Sequence, residues 1–495
     1  MKRNLLLLTL LGTFWLSSCS HSNIICQTCC TGTCVNNDAT LSVTMSAIPL
    51  APPPGTSILS FSFTITGIAL TPTTGSDISI PMTAATYVLD ATQLQSDSAL
   101  IGQANAMVPP GTYNKITLAV SSAAVTFCTT SGTAGCTVGS VTTVPANPLM
   151  STPSSPVTLT LAANDKQGLR VVLNIAPTLS PNGQTITGLT LTPTTGTVLT
   201  AVALPPAKSS LASRQLDFVE DFTGIVTGIN GNAVAVKTSE HGNINAVANS
   251  STSFSPNCLT ATFAGCITVG QLASIDTALN ADGTFTLLEY DPLEATASDW
   301  IEGTVTSVPT STTQFQIVAN DVFLKAAGSI IVGTSLQDAP VTVNFVNPGP
   351  VTFAVDDKGL NVPLADSTNF KSANDTSFVK PGQTVAVRVK AFTAASSSTP
   401  ASATVDIIML RFTRVTGNVA SAPGTLSFSI NNLPPYFGTT SAQTVQLNQT
   451  SGAATNYDGM ATTGDLSAGN TVSIRAIYFP TSTTQPFSAA KVRKQ

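Results

Sequence analysis

Few residues in this chain could do chemistry, and their spacing argues against catalysis. Only two histidines occur, His21 and His241. Neither stands at a spacing from Ser, Cys or a carboxylate that would build a triad or a metal site, so both are read as solvated. Ser377-Phe378-Val379-Lys380 spells the S-x-x-K string, in which a lysine activates a serine. That chemistry needs the serine at a helix start, whereas here the string runs into Pro381-Gly382. Acidic groups cluster at Glu220-Asp221, Glu289-Tyr290-Asp291 and Asp356-Asp357. Calcium is the alternative for these loops, but none has the D-x-D-x-D-G spacing of a calcium loop. Asp356-Asp357-Lys358-Gly359 and Ala281-Asp282-Gly283 have the composition of turns. The expectation is a non-enzyme with no metal and no cofactor. A buried carboxylate or a Ser/His pair converging in one pocket would sink it.

Aromatic side chains are the other groups able to meet a ligand. Trp300 and Tyr478 are the candidate platforms for stacking a sugar ring, with Tyr290, Tyr436-Phe437 and Phe479 as further candidates. Packing inside or between domains is the favoured reading for all of them. Nucleic acid is excluded as a partner. Net charge is −5, and no basic cluster is present to neutralise phosphates.

The first residues carry the most specific signal. Met1-Lys2-Arg3 is a short positive start, and Asn4 to Trp15 is apolar but too short to span a bilayer comfortably. Leu16-Ser17-Ser18-Cys19 then resembles the lipobox of bacterial lipoproteins. That resemblance implies removal of residues 1–18, diacylation of Cys19, and attachment to the membrane through lipid, at about 0.8 kcal/mol per buried CH₂. Ser20 follows rather than Asp. By the sorting rule of such lipoproteins this implies the outer membrane, on its periplasmic face or at the cell surface.

Nine cysteines occur, and setting Cys19 aside leaves an even number in an oxidising compartment. Cys128/Cys136 and Cys258/Cys266 are each C-x7-C around a loop of small residues. Both are expected to be local disulfides that tie down a hairpin loop. Cys26, Cys29, Cys30 and Cys34 lie together in CQTCCTGTC, where oxidation is preferred to a metal because CxxCC lacks two separated ligand pairs.

The elements that would position these groups are strands. Charged residues are only 9% of the chain while hydrophobic ones are 42%, and the Thr, Val, Gly and Pro content suits strands and turns. Residues 19–39 are a Cys-rich flexible tether. Residues 40–205 read as a β-sandwich, with period-two alternation at Leu41/Val43/Met45, Ile116/Leu118/Val120, Val157/Leu159/Leu161 and Val171/Leu173/Ile175. The near-identical phrases ITGIALTPTTG (65–75) and ITGLTLTPTTG (186–196) have different flanks, so they are expected to be two strand–turn units of this one domain. A subtler repeat follows. Phe222-Thr223-Gly224, Ile301-Glu302-Gly303 and Val415-Thr416-Gly417 open three units, and Gly270-Gln271, Gly382-Gln383 and Gly469-Asn470 each feed a later strand. The units span 217–297, 298–412 and 413–495. Each is the size of a small closed barrel, and they are expected as beads in series, the second enlarged by extra strand-like sequence that includes 341–346.

This arrangement is similar to a group of uncharacterised bacterial lipoproteins in which an N-terminal β-domain precedes OB-like small barrels. The likeness rests on Val108-Pro109-Pro110-Gly111-Thr112-Tyr113, on Lys166-Gln167-Gly168-Leu169-Arg170, and on the two repeat signatures above. It implies an all-β chain: a β-sandwich followed by three OB-like barrels. The expected function is a lipid-anchored, non-catalytic binding or structural module string of the cell envelope, with a glycan or an envelope protein as partner. The alternatives are a surface adhesin or carbohydrate-binding lipoprotein, and a hydrolase with an unrecognised site.

Overall fold

The structure is a computed structural model. It describes residues 37–495 apart from 50–51, 131–133, 138, 205–214, 238–241, 256–257, 259, 261, 281, 296–297, 310–311, 326–327, 333–335, 348, 397–398, 422, 439–440 and 450–453. The expectations placed on Cys19, His21, Cys26, Cys29, Cys30, Cys34 and His241 fall outside the described residues, as does the boundary near 205.

The chain is all-β. In the first sheet, Ala39–Ile48 pairs in parallel with Lys166–Asn174 (Thr40 opposite Lys166), which in turn pairs with Leu199–Ala203. The second sheet is built on the long antiparallel pair Thr56–Pro72 and Gly111–Thr129, with Ser154–Leu161 beside the latter. The inward positions anticipated from alternation are buried. Leu41, Val43, Met45, Ile116, Leu118, Val120, Leu159, Val171 and Leu173 all meet in one apolar core. Both halves of the twin phrase enter that core, through Ile65, Ile68 and Leu70 and through Ile186, Leu189 and Leu191. Each phrase ends on a glycine with positive φ, Gly75 at 108° and Gly196 at 87°, a conformation that costs a side-chain-bearing residue.

Three barrels follow, each closed by five strands in the order first, second, third, fifth, fourth, and back to the first. In the second and third a short extra strand, Thr352–Val355 and Asn456–Asp458, pairs in parallel with the closing fifth strand and stands outside this count. In the first barrel the third and fifth strands, Asn243–Phe254 and Phe285–Ala295, run parallel. The same parallel closure joins Pro340–Phe345 to Ala401–Arg411 in the second barrel and Gln443–Leu447 to Phe487–Lys494 in the third. Closure leaves no long free edge. The Gly-Gln/Asn turns entering the fourth strands are alike in conformation, with φ of 89° at Gly270, 89° at Gly382 and 84° at Gly469.

Three expectations need correction. Residues 341–346 are not an insertion: they hold the third strand of the second barrel, and the added length lies beyond it, in Thr352–Val355 and the helix Leu364–Lys371. The Cys258–Cys266 loop does not tie down a hairpin. It spans the crossover from third to fourth strand of the first barrel and contains the short helix Phe263–Cys266. The barrels are also not strung out as beads. The fourth strands Gln271–Asn280 and Thr471–Tyr478 are buried on both faces, because the outward face of one barrel is covered by its neighbours.

Both cysteine pairs are bridged, with Cα–Cα separations of 5.7 Å for Cys128–Cys136 and 4.7 Å for Cys258–Cys266. The first does close a hairpin, and its loop wedges between domains. Gly135 N donates to Tyr436 O (2.7 Å) and Cys136 N to Thr306 O (2.8 Å). Replacing Cys128 and Cys136 together with serine is expected to lower stability by about 2.5 kcal/mol in the chain-entropy account. Comparing urea unfolding of the variant with that of the native chain measures it, and an unchanged midpoint would show that the loop is held by its contacts alone.

Candidate functional site

Trp300 and Tyr478 do not face solvent. They are 3% and 2% exposed. Tyr478 stacks on Phe487 with centroids 4.5 Å apart and meets Phe437 at 5.1 Å, while Trp300 packs with Leu272 and Ala386 where the first two barrels meet. The stacking role expected for these two rings is corrected accordingly, and the packing reading describes them. Ser377 lies in a single 3-10 turn whose cap is Asp375, accepting from Ser377 N at 2.8 Å, and Lys380 N donates to Gln383 Oε1 at 2.8 Å. This is turn architecture, with no helix for the serine to start. Asp357 and Asp282 cap their own turns by accepting from Gly359 N and Thr284 N. Among the described residues no group of three or more His, Cys, Asp or Glu is arranged to hold a metal.

The chemistry-bearing residues instead converge between domains. Asp276 of the first barrel and Arg475 of the third occupy the same place in the repeat, next to the inward Ile275 and Ile474. They pair with each other at 2.7 Å. Arg411, which is fully buried, ends the last strand of the second barrel. It binds Glu302 at 3.0 Å and also Asp356, and donates to Thr223 Oγ1 of the first barrel. Arg414 of the third barrel bonds Asp97 of the sandwich at 2.9 Å and stands 3.6 Å from Glu302. Lys358 reaches Ser274 Oγ at 3.1 Å and stands 3.6 Å from Asp276. The Phe412 ring lies between Lys358 and Arg475, 5.5 and 5.1 Å from its centroid.

Six carboxyls (Asp97, Asp276, Glu289, Asp291, Glu302 and Asp356) thus share this junction with four cations, so the junction is short of positive charge. The two carboxyls that adapt are Glu289 and Asp291. Burial, with Asp276 and Asp356 adding to it, raises Glu289 to about 8 against the pull of Lys358 and Arg475. Burial and the neighbouring Asp356 push Asp291 far above the usual range. Both Asp291 oxygens are sealed from solvent, and their polar neighbours are Asp356, which favours the protonated form, and Ser255, which favours the anion. An Asp291 that keeps its proton can donate to the Asp356 carboxylate, which two anions side by side could not do.

Further polar contacts join the sandwich to the barrels. Arg493 binds Asp458 at 2.8 Å and reaches into the sandwich, donating to Leu94 O, Asp97 O and Ser98 Oγ. Its partner charge lies well below the carboxylate range: burial opposes this, but Arg493, Arg170 and Lys491 outweigh it. Asp338 of the second barrel, at φ 64°, accepts from Ser60 and Ser62 of the sandwich. Asn320 Nδ2 donates to Asp90 at 3.0 Å.

Asp291 and Asp356 line a pocket of about 230 Å³, with Lys371 among its other walls. This is the convergence of carboxyls that would signal catalysis. The volume is below the usual range for ligand sites, Asp356 is tied to Arg411, and the Asp291 oxygens are out of reach of solvent. The pair is suited to holding two barrels together.

The larger concavity is a cleft of about 700 Å³ where the sandwich meets the second and third barrels. The sandwich contributes Pro52, Pro53 and Gln93, the second barrel Thr304 and Thr384, and the third barrel Asn418, Asn432, Pro434, Pro435 and Thr471. Sequence reading missed it because its walls come from turns and strand ends of three domains. The only hint was the PPP run at 52–54 and the second proline pair at 434–435. The sequence matches no known protein-family profile, and no similar curated protein is found.

Proposed function

We propose that the protein is a lipid-anchored, non-catalytic protein of the bacterial cell envelope that acts as a preassembled binding block. The observation that carries this reading is the fate of the charged residues. In a chain with so few, the junction gathers four cations and six carboxyls where four domains meet, and Arg411, Arg414 and Arg475 are engaged there by Glu302, Asp356, Asp97 and Asp276. Fixing the domains costs an isolated module nothing it needs, but it gives a multi-domain cleft a constant shape. The lipobox supplies the anchor, and the 19–39 segment supplies the distance from the bilayer.

The test is labelling with radioactive palmitate in a diderm bacterial host, followed by fractionation. The full chain is expected to carry label and sediment with outer membranes. Cys19→Ser is expected to lose both properties while keeping its melting profile. An unlabelled wild-type chain would sink the lipoprotein reading. Turnover of model esters, glycans or peptides that is lost on changing Asp291 would sink the non-catalytic one.

A further inference from the structure

We propose that the cleft between the sandwich and the second and third barrels is a binding site for a neutral oligosaccharide. This deepens the reading of the chain as a binding block and rests on it. The cleft is lined by neutral hydrogen-bonding side chains and by pyrrolidine rings. Amides and hydroxyls both donate and accept, which matches sugar hydroxyls, and proline rings offer apolar plates to the C–H faces of a pyranose. The side-chain amides of Gln93 and Asn432 make no hydrogen bond among the described residues and are open to a ligand.

Charge argues the same way. The single charged residue lining the cleft is Arg414. Its guanidinium is engaged by Asp97 (2.9 Å) and Phe412 O (3.1 Å), with Glu302 at 3.6 Å. A phosphate or a carboxylate ligand would find no unsatisfied cation there. An extended peptide would add a strand to a free sheet edge. The bordering strand Thr413–Val419 pairs along one side from Thr413 to Asn418 and on the other at Asn418 and Val419. Leu433 covers Gly417, lying 3.1 Å from where a Cβ would stand. On that second side the ladder covers only Asn418 and Val419 among the described residues, so an extended peptide is the competing occupant, and the hexa-alanine titration decides between the two. The volume lies within the 300–1,000 Å³ typical of small-ligand sites.

The full-length chain, purified in an amine-oxide detergent to avoid sugar head groups, is titrated calorimetrically with maltohexaose, cellohexaose and chitohexaose. A neutral peptide, hexa-alanine, serves as the comparison. At least one saccharide is expected to bind. Gln93→Ala with Asn432→Ala is expected to weaken it roughly tenfold by removing two ligand hydrogen bonds, and Asn432→Trp to abolish it by filling the mouth. Asn432 stands at φ 55°, where Ala and Trp are less at ease than Asn. Both variants are therefore expected to melt somewhat below the wild type while staying folded at the titration temperature. Gln93→Ala alone, expected to melt as the wild type does, is titrated beside them. Three blank saccharide titrations, binding that survives Asn432→Trp, or a preference for hexa-alanine would each overturn the proposal. None of these outcomes touches the palmitate result, so the two readings fail separately.

Discussion

Replacing Arg411 with methionine is expected to destabilise the protein by about 3–5 kcal/mol, the largest effect of any single surface-neutral change. Methionine fills similar space, so lost packing is a minor part of the cost. The main cost is electrostatic. Glu302 keeps Arg414 at 3.6 Å, but Asp356, itself buried, loses its arginine and is left beside Asp291. A buried anion without a partner is far more costly than the pair it came from. Asp356→Asn placed in the same chain removes that anion, and the double variant is expected to recover more than half of the loss. Urea unfolding of the wild type, both single variants and the double variant measures this. Additive losses would show that Arg411 and Asp356 are not coupled and that the junction is not an ionic unit.

Much of the architecture was legible because a strand declares its inward face. Val43, Leu118 and Ile474 alternate with small polar residues, and the three Gly-Gln/Asn turns repeat because each needs positive φ. The outward face declares nothing comparable. Asp276 and Arg475 look solvated by the same alternation rule that correctly buries Ile275 and Ile474. Only assembly reveals that one barrel's outer face is the next one's wall. A signal was nevertheless present: the same repeat position carries Asp in one unit and Arg in another, in a chain with 9% charged residues. Trp300 and Tyr478 were misplaced for the related reason that large aromatics at a strand end suit an interface as well as a ligand. The cleft was invisible because no periodicity links Gln93, Thr384 and Asn432, which come together only when three domains pack.

Stability is expected to fall steadily as pH rises from about 5 to 9. Three buried carboxyls hold protons in the folded protein that the unfolded chain would release. Asp338 is raised to about 7 by burial and by Asp90, against the hydroxyls of Ser60 and Ser62; Glu289 is raised to about 8, and Asp291 is also raised. The folded state therefore binds more protons than the unfolded one across the interval between the ordinary carboxyl range, about 4, and these raised values. Stability declines wherever that is so. Asp458 works in the opposite sense: its lowered value means that its contribution is present at neutral pH and lost only in acid. Asp338 alone contributes on the order of a few kcal/mol to the slope. Asp338→Asn isolates that share. The amide mimics the protonated acid, accepts and donates at the same two serines, and tolerates the positive φ better than most residues. The variant is expected to match the wild type at pH 5 and to exceed it at pH 9, giving a visibly flatter profile in denaturant titrations between those limits. If the wild-type profile is itself flat, or the variant falls as steeply as the wild type, Asp338 is ionised in the folded protein. Its bonds to Ser60 and Ser62 would then be those of a buried anion held by hydroxyls.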